Sequence, residues 1–309
     1  MMLINQLQKT GRYTMKYSYS ILIDASADLA AGFALREDIH VIPMGYALGD
    51  QPRVYACEED STALIEMYNG QRQGLSSATT QISPQNYLDA FLPYARKGEP
   101  VLYLSLSGGL SGTYASSLVA AQEIGEDYPQ AKIRCVDSRA ATVGIGMLAE
   151  LAAANRAAGM TLEENAAWLE ENRLRVMHWF MVEDLGFLKR GGRISPATAV
   201  VGTALNIKPI LKIAGDGTLT NFAKIRGSRA ARKRLAEFYR EYGQGSDGDR
   251  IFIVHADNPA GAEELKQDLL EINPKANITV SLLGPVIGCH VGPGMCACVH
   301  LSASDSARH

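Results

Sequence analysis

Val101-Leu102-Tyr103-Leu104-Ser105-Leu106-Ser107-Gly108-Gly109-Leu110-Ser111-Gly112-Thr113-Tyr114 is the stretch on which the fold turns. Residues 101–106 form a short apolar run, the mark of a strand buried on both faces. A loop of glycine and serine follows at once, and a helical pattern takes over at 113–124. Strand, loop and helix in that order are the opening half of a parallel α/β unit. The loop also has chemistry. Its glycines let a backbone come close to a ligand, and the helix behind it offers free N–H groups and a positive dipole end. Ser111 and Thr113 add hydroxyl donors. Such a cradle suits a small anion, either a phosphate or a carboxylate. It lacks the Gly-Lys-Ser/Thr of a nucleotide triphosphate clamp. Ser105-Leu106-Ser107-Gly108-Gly109 lacks only the first glycine of a hydrolase elbow, so Ser107 stands as a candidate nucleophile.

The same alternation extends in both directions. Upstream, residues 20–24 and 39–48 read as strands. Residues 84–97 read as a helix, capped by Ser83 with Pro84 at its first position. Downstream, 133–136 is a strand and 147–158 a helix. Beyond Thr161, whose capping-box partner is Glu164, the pattern changes. Strands at 207–213 and 218–225 flank Ala214-Gly215-Asp216-Gly217, a hairpin signal that implies antiparallel pairing. Further strands are expected at 176–182, 251–255, 278–283 and 295–301. The fold class is therefore α/β in two domains. Residues 17–160 are expected to form a parallel α/β sheet domain, and 161–303 a mixed or antiparallel α+β domain. The first 17 or so residues show no clear partner pattern, and 302–309 read as a loose tail.

Composition narrows the function classes. The 309 residues are 47% apolar and 20% charged, enough for a sizeable core. A net charge of -3 disfavours wholesale binding to nucleic acid. No apolar run reaches about 18 residues, so no membrane insertion is expected. Five cysteines without a framework, and no leader pattern, point to free thiols and a cytoplasmic location. Cys296, Cys298 and His300 share one face of their strand, but no second ligand pair at zinc spacing appears. They read as small buried residues, and no metal is expected.

Several other loops carry polar groups. Asp24-Ala25-Ser26-Ala27-Asp28 ends the first strand, where Ser26 or Asp28 caps a turn or meets a ligand. Ala78-Thr79-Thr80-Gln81 lies just before a helix start with more donors than a cap requires. Gly144-Ile145-Gly146-Met147-Leu148-Ala149 fits a relaxed dinucleotide pattern, but it starts too far past its strand. Close helix–strand packing accounts for those glycines. Gly284-Pro285-Val286-Ile287-Gly288-Cys289-His290-Val291-Gly292-Pro293-Gly294 reads as a loop with an unusual backbone path. His290 within it can donate to a carboxylate or serve as an acid or base. Leu188-Lys189-Arg190-Gly191-Gly192-Arg193-Ile194-Ser195 is basic. Arg193 falls beyond its glycines and before a new helix, free to meet a partner or an anion. Arg226, after the hairpin, is a similar candidate.

Taken in order, these segments resemble the DegV family. The resemblance rests on Ile23-Asp24-Ala25-Ser26-Ala27-Asp28-Leu29, Thr79-Thr80-Gln81-Ile82-Ser83-Pro84, Leu110-Ser111-Gly112-Thr113-Tyr114 and Val136-Asp137-Ser138-Arg139. Leu188-Lys189-Arg190-Gly191-Gly192-Arg193-Ile194, Asn206-Ile207-Lys208-Pro209-Ile210 and His290-Val291-Gly292-Pro293-Gly294 complete it. It implies a protein that binds a long-chain fatty acid between its two domains and has no catalysis or cofactor of its own. Its implied partner is a separate ATP-dependent fatty acid kinase subunit, which phosphorylates the bound carboxylate for phospholipid synthesis. Thr79, His290 and a serine, Ser107 or Ser111, are implied around the carboxylate, with Thr80, Gly112 and Thr113 beside them. Asp24, Ser26, Arg193, Arg226 and Gly292 are candidates for the pocket wall or the partner contact. Arg193 is implied to meet the kinase. This chain departs from the family at Ala25, where a second serine is usual, at Thr80 and Ile82, and at Ser107-Gly108-Gly109. The alternative is a serine-dependent lipid or ester hydrolase using Ser107 or Ser111 with His290.

Overall fold

A computed structural model of the chain describes residues 17–29, 34, 37–57, 61–194 and 206–308. The amino-terminal segment 1–16 and the helix expected after Arg193 lie outside the described residues. Strands β1 (Ser20–Asp24), β2 (Ile39–Ile42), β6 (Val101–Ser105) and β7 (Ile133–Asp137) form a parallel sheet in the order β2-β1-β6-β7. Every residue of β1 and β6 is buried, as expected for strands covered on both faces. Helices α2 (Pro84–Lys97), α3 (Thr113–Asp127), α4 (Val143–Ala157) and α5 (Leu162–Asn172) accompany this sheet. Ser83 caps α2 with Asn86, and Thr161 caps α5 with Glu164, as their spacing predicts.

The expected strand at 39–48 is broken. Pro43 cannot donate to a ladder, so pairing changes there. β3 (Met44–Leu48) leaves the parallel sheet and joins β4 (Gln51–Tyr55) and β5 (Ser77–Thr80) in a small antiparallel sheet. Thr79 and Thr80, read as loop, therefore belong to a strand. Helix α4 begins before residue 147 and takes in Gly144 and Gly146. A Cβ at Gly144 would run into the His178 ring, so the glycine permits the close packing expected there.

The second sheet is mixed, in the order β10-β9-β8-β13-β11-β12. Its strands are β8 (Val176–Met181), β9 (Ile207–Ile213), β10 (Leu219–Arg226), β11 (Arg250–His255), β12 (Asn277–Leu282) and β13 (Cys296–Leu301). The β11–β12 pair is parallel and the other pairs antiparallel. Strand periodicity divides its side chains. Met177, Trp179, Met181, Cys296 and Cys298 face a core with α7 (Ser228–Tyr242) and α8 (Pro259–Ile272). Val176, Phe180, Ala297 and Val299 share the core of the parallel sheet. A ligand space can form where that second face meets the first sheet and its loops.

Two further expectations change. The segment around His290 is a short helix, α9 (Pro285–Val291), not an irregular loop. Pro285 opens it, and Gly288 lets it lie against the Tyr68 hydroxyl on α1 (Ser61–Arg72). The tail is also not loose. Arg308 is buried, and its guanidinium donates to the carbonyls of Ile213, Val176, Ala214, Arg173 and Arg139.

Candidate ligand-binding site

Side chains from both halves of the chain enclose about 780 Å³ of empty space, open solvent at its mouth included. Much of the wall is aliphatic: Leu106, Leu110, Leu188, Ile213, Val286 and Val299 are among its residues, with Phe180. Polar groups interrupt it at Thr79, Gln81, Ser111, Arg193 and His290, and at Thr142 and His178.

Thr79 and His290 meet directly, with Thr79 Oγ1 2.8 Å from His290 Nε2. The strand carrying Thr79 also holds the helix carrying His290. Ser77 on β5 donates to the Cys289 carbonyl at 3.0 Å, and Gln71 donates to Ser77 and to the Gly288 carbonyl. Burial, and then the nearby Arg193 charge, pull the His290 pKa down to about 4, so the ring is neutral near pH 7. Thr80 follows Thr79 on the opposite face of β5. It is exposed, with its hydroxyl over Gly45, and does not line the cavity.

The serine loop separates its two candidates. Ser107 is fully buried; its hydroxyl donates to the Gly217 carbonyl at 2.8 Å and accepts from Gly109 N–H at 3.3 Å. It braces the loop against the β9–β10 hairpin. Ser111 lines the cavity, and its hydroxyl pairs with Thr113 Oγ1 at 2.8 Å while accepting from Thr113 N–H. Thr113 is buried and holds Ser111. Gly112 caps α3, where a Cβ would run into the Gln81 side chain.

Asp24 and Ser26 lie beneath this loop, outside the cavity wall. Asp24 accepts from Leu106 N–H at 2.8 Å, from the Tyr103 hydroxyl at 2.9 Å and from Ser26. Burial raises its pKa against those bonds. Gly292 ends α9 at φ 72° with the Phe187 ring packed on it, a backbone role. Arg226 is exposed at the end of β10 and does not line the cavity. Arg193 does line it, with Nε donating to the Leu110 carbonyl at 3.0 Å.

Sequence reasoning singled out neither Thr142 nor His178. A polar residue in the apolar run Val176-Met177-His178-Trp179-Phe180-Met181, in step with Val176 and Phe180, is the signal that marks His178 for the inner face. Among the described residues, neither Ser107 nor Ser111 hydrogen-bonds His290, and no cluster of His, Cys, Asp or Glu suits a metal ion. No described helix is long and apolar enough to cross a membrane.

Comparison with known proteins gives a consistent family. The family model described as uncharacterised protein, DegV family, matches residues 18–303. A DegV domain-containing protein of Clostridium perfringens is 36% identical over 279 residues, covering 90% of this chain and 96% of that one. A fatty acid-binding protein of Thermotoga maritima is 33% identical, covering 89% and 94%. A solved DegV family protein of Thermus thermophilus, described by its fatty acid binding, superposes with a TM-score of 0.81 at 30% identity. That match covers 92% of this chain and 99% of the other.

Proposed function

The chain belongs to the DegV family, and from that premise we propose that it holds a long-chain fatty acid in this cavity and presents it to a separate ATP-dependent kinase subunit. The observation that carries this reading is the joining of a polar end, Thr79, His290 and Ser111, to an aliphatic wall. A carboxylate is well served by hydroxyl and imidazole donors without a metal. An acyl tail of fifteen CH₂ groups would gain about 12 kcal/mol gross from such a wall. That is ample to offset the cost of ordering a flexible chain. The acid would lie between the units formed by residues 17–160 and 161–303.

The kinase half of the proposal rests on the same end of the cavity. Gly108, Gly109 and Gly112 beside Ser111 are exposed, which leaves a rim where a second protein can reach the carboxylate. The carboxylate oxygen would attack the γ-phosphorus of ATP held by that protein, giving acyl phosphate and ADP. This chain supplies the acid and its orientation.

Native mass spectrometry and lipid extraction of the purified protein test the first half. A co-purifying long-chain acid, or tight uptake of one after delipidation, is expected. Failure to recover or take up any such acid overturns the proposal. With a cognate kinase and ATP, trapping by hydroxylamine should reveal acyl phosphate only when both proteins are present.

A further inference from the structure

The geometry points to a second polar station on the cavity wall: Thr142 and His178 receive a hydroxyl carried on the acyl chain, so the ligand class includes a hydroxy fatty acid. This deepens the fatty-acid reading and rests on it.

Both side chains are 4% exposed and line the cavity among apolar residues. Ala141 adjoins Thr142, and Val299 stands opposite His178 on the neighbouring strand. Leu188 on α6 (Gly186–Arg190) and Val286 on α9 line the same space. Neither Thr142 nor His178 shares a hydrogen-bond partner with Thr79, Ser111 or His290. The Arg193 charge acts on His290, and the Arg308 charge on His178. The pair is therefore distinct from the groups assigned to the carboxylate.

Thr142 is held there at a cost. It precedes α4 at φ 48° and ψ −140°, a region that glycine tolerates and a β-branched residue rarely enters. A threonine before a helix is favoured when its oxygen accepts a helix N–H, yet this one makes no such bond. Its hydroxyl turns instead to the Asp28 carboxyl and lowers that group's pKa, as a donor does. That bond uses its single hydrogen. Among the described residues no donor reaches the oxygen, so its lone pairs are open. His178 is pinned beside it. Nε2 lies 3.1 Å from the Ala141 carbonyl, and Gly144 leaves the ring its space. Among the described residues no side chain hydrogen-bonds either ring nitrogen.

Buried polar groups with unfilled bonding capacity are costly in an apolar wall. A plain methylene chain leaves that capacity unfilled. A chain hydroxyl donates to the Thr142 oxygen, with the His178 imidazole alongside as a second partner. A ketone or ether oxygen carries no hydrogen for Thr142, so the station selects a hydroxyl.

The test titrates the delipidated full chain with octadecanoic acid and with monohydroxy octadecanoic acids whose hydroxyl moves along the chain. Wild type, Thr142→Ser, Thr142→Val and His178→Leu are compared, each checked by thermal melting. An apolar wall penalises a hydroxyl, so wild type should bind most isomers more weakly than the plain acid. At one position the isomer should bind about tenfold tighter than those on either side. Thr142→Ser should keep that peak. Thr142→Val should flatten it and bind octadecanoic acid more tightly, since the wall then matches the chain. His178→Leu should lower the peak as well, so the inference does not depend on one variant folding. A smooth decline across all isomers in wild type overturns the inference, as does a peak that survives in Thr142→Val. Equal weakening of every ligand in Thr142→Val would confine that residue to supporting Asp28, which also overturns it. These results leave the fatty-acid reading intact. Wild type that binds no acid of either kind sinks that reading, and this inference with it.

Discussion

Thr79 Oγ1 and His290 Nε2 lie 2.8 Å apart across 211 residues of chain. That contact joins the small antiparallel sheet to helix α9 at the cavity wall. It also fixes how His290 responds to pH. Burial and Arg193 hold its pKa at about 4, so the ring stays neutral from pH 6 to pH 8. Acid affinity measured across that range should vary by no more than about twofold from this group. A tenfold change centred near the ordinary histidine value would show that the ring is charged when ligand binds.

The same shift has a sign for stability. The unfolded ring takes up a proton below about pH 6.5, and the folded one only near 4. The unfolded state therefore binds more protons in that window, and stability falls as pH drops through it. His290 contributes on the order of 2 kcal/mol of this loss, allowing for its partial exposure. Melting curves of His290→Gln between pH 6.5 and 4.5 should show a shallower decline than wild type.

Ser107 and Ser111 should respond differently to removal of the hydroxyl. Ser107→Ala leaves the Gly217 carbonyl without its donor and should cost about 1–3 kcal/mol of stability. Ser111→Ala should melt within about 1 kcal/mol of wild type and weaken acid binding severalfold, because Ser111 lines the cavity. Thermal melts paired with acid titrations separate the two. The reverse pattern would exchange their roles.

Asp28 works against the histidines. Burial pushes its carboxyl up to about 7, although Thr142, the Tyr55 hydroxyl and Gly284 N–H bond to it. Its folded pKa exceeds the unfolded one, so it favours the fold at low pH, and that contribution is lost as pH rises from about 4 to about 7. Replacing it by Asn removes the opposing slope. In Asp28→Asn the melting temperature should climb more steeply from pH 4.5 to 7 than in wild type. Parallel curves would mean that Asp28 is ionised in the fold throughout.

What the sequence revealed and what it hid follow the range of the interactions involved. The strand, loop and helix from Val101 to Asp127 were legible because periodicity and glycine placement are local. So were the caps at Ser83 and Thr161 and the hairpin around Gly217. The roles of Ser107 and Ser111 were not separable, because Gly217, 110 residues away, decides which hydroxyl is occupied. Thr79 reads as loop because its strand partner is Tyr46, and that pairing depends on the break at Pro43. Arg193, after two glycines, reads equally as a partner contact or a pocket residue, and it is the turn closed onto Leu188, with the side chain at the cavity wall, that separates the two.

Arg308 is the plainest case of a long-range role. Nothing in its neighbourhood, Ser304-Asp305-Ser306-Ala307, marks a core residue. Yet its guanidinium satisfies carbonyls from β8, β9, the β9–β10 hairpin and the Arg139 loop, and the adjacent Gly215 N–H takes the Arg308 carbonyl at 2.8 Å. Ser302 ties in the start of the tail through its N–H bond to the Arg175 carbonyl at 2.8 Å. The hairpin so held is the one whose Gly217 braces Ser107. Arg308→Ala should therefore cost about 3 kcal/mol or more, since several buried carbonyls lose a charged donor at once. It should also weaken acid binding modestly, through a looser hairpin. Arg308→Lys should recover only part of the stability, because a point charge cannot reach carbonyls spread around a planar fork. Melting of the two variants, with acid titration of each, checks both effects. A tail variant as stable as wild type would show that residues 303–308 are not docked in solution.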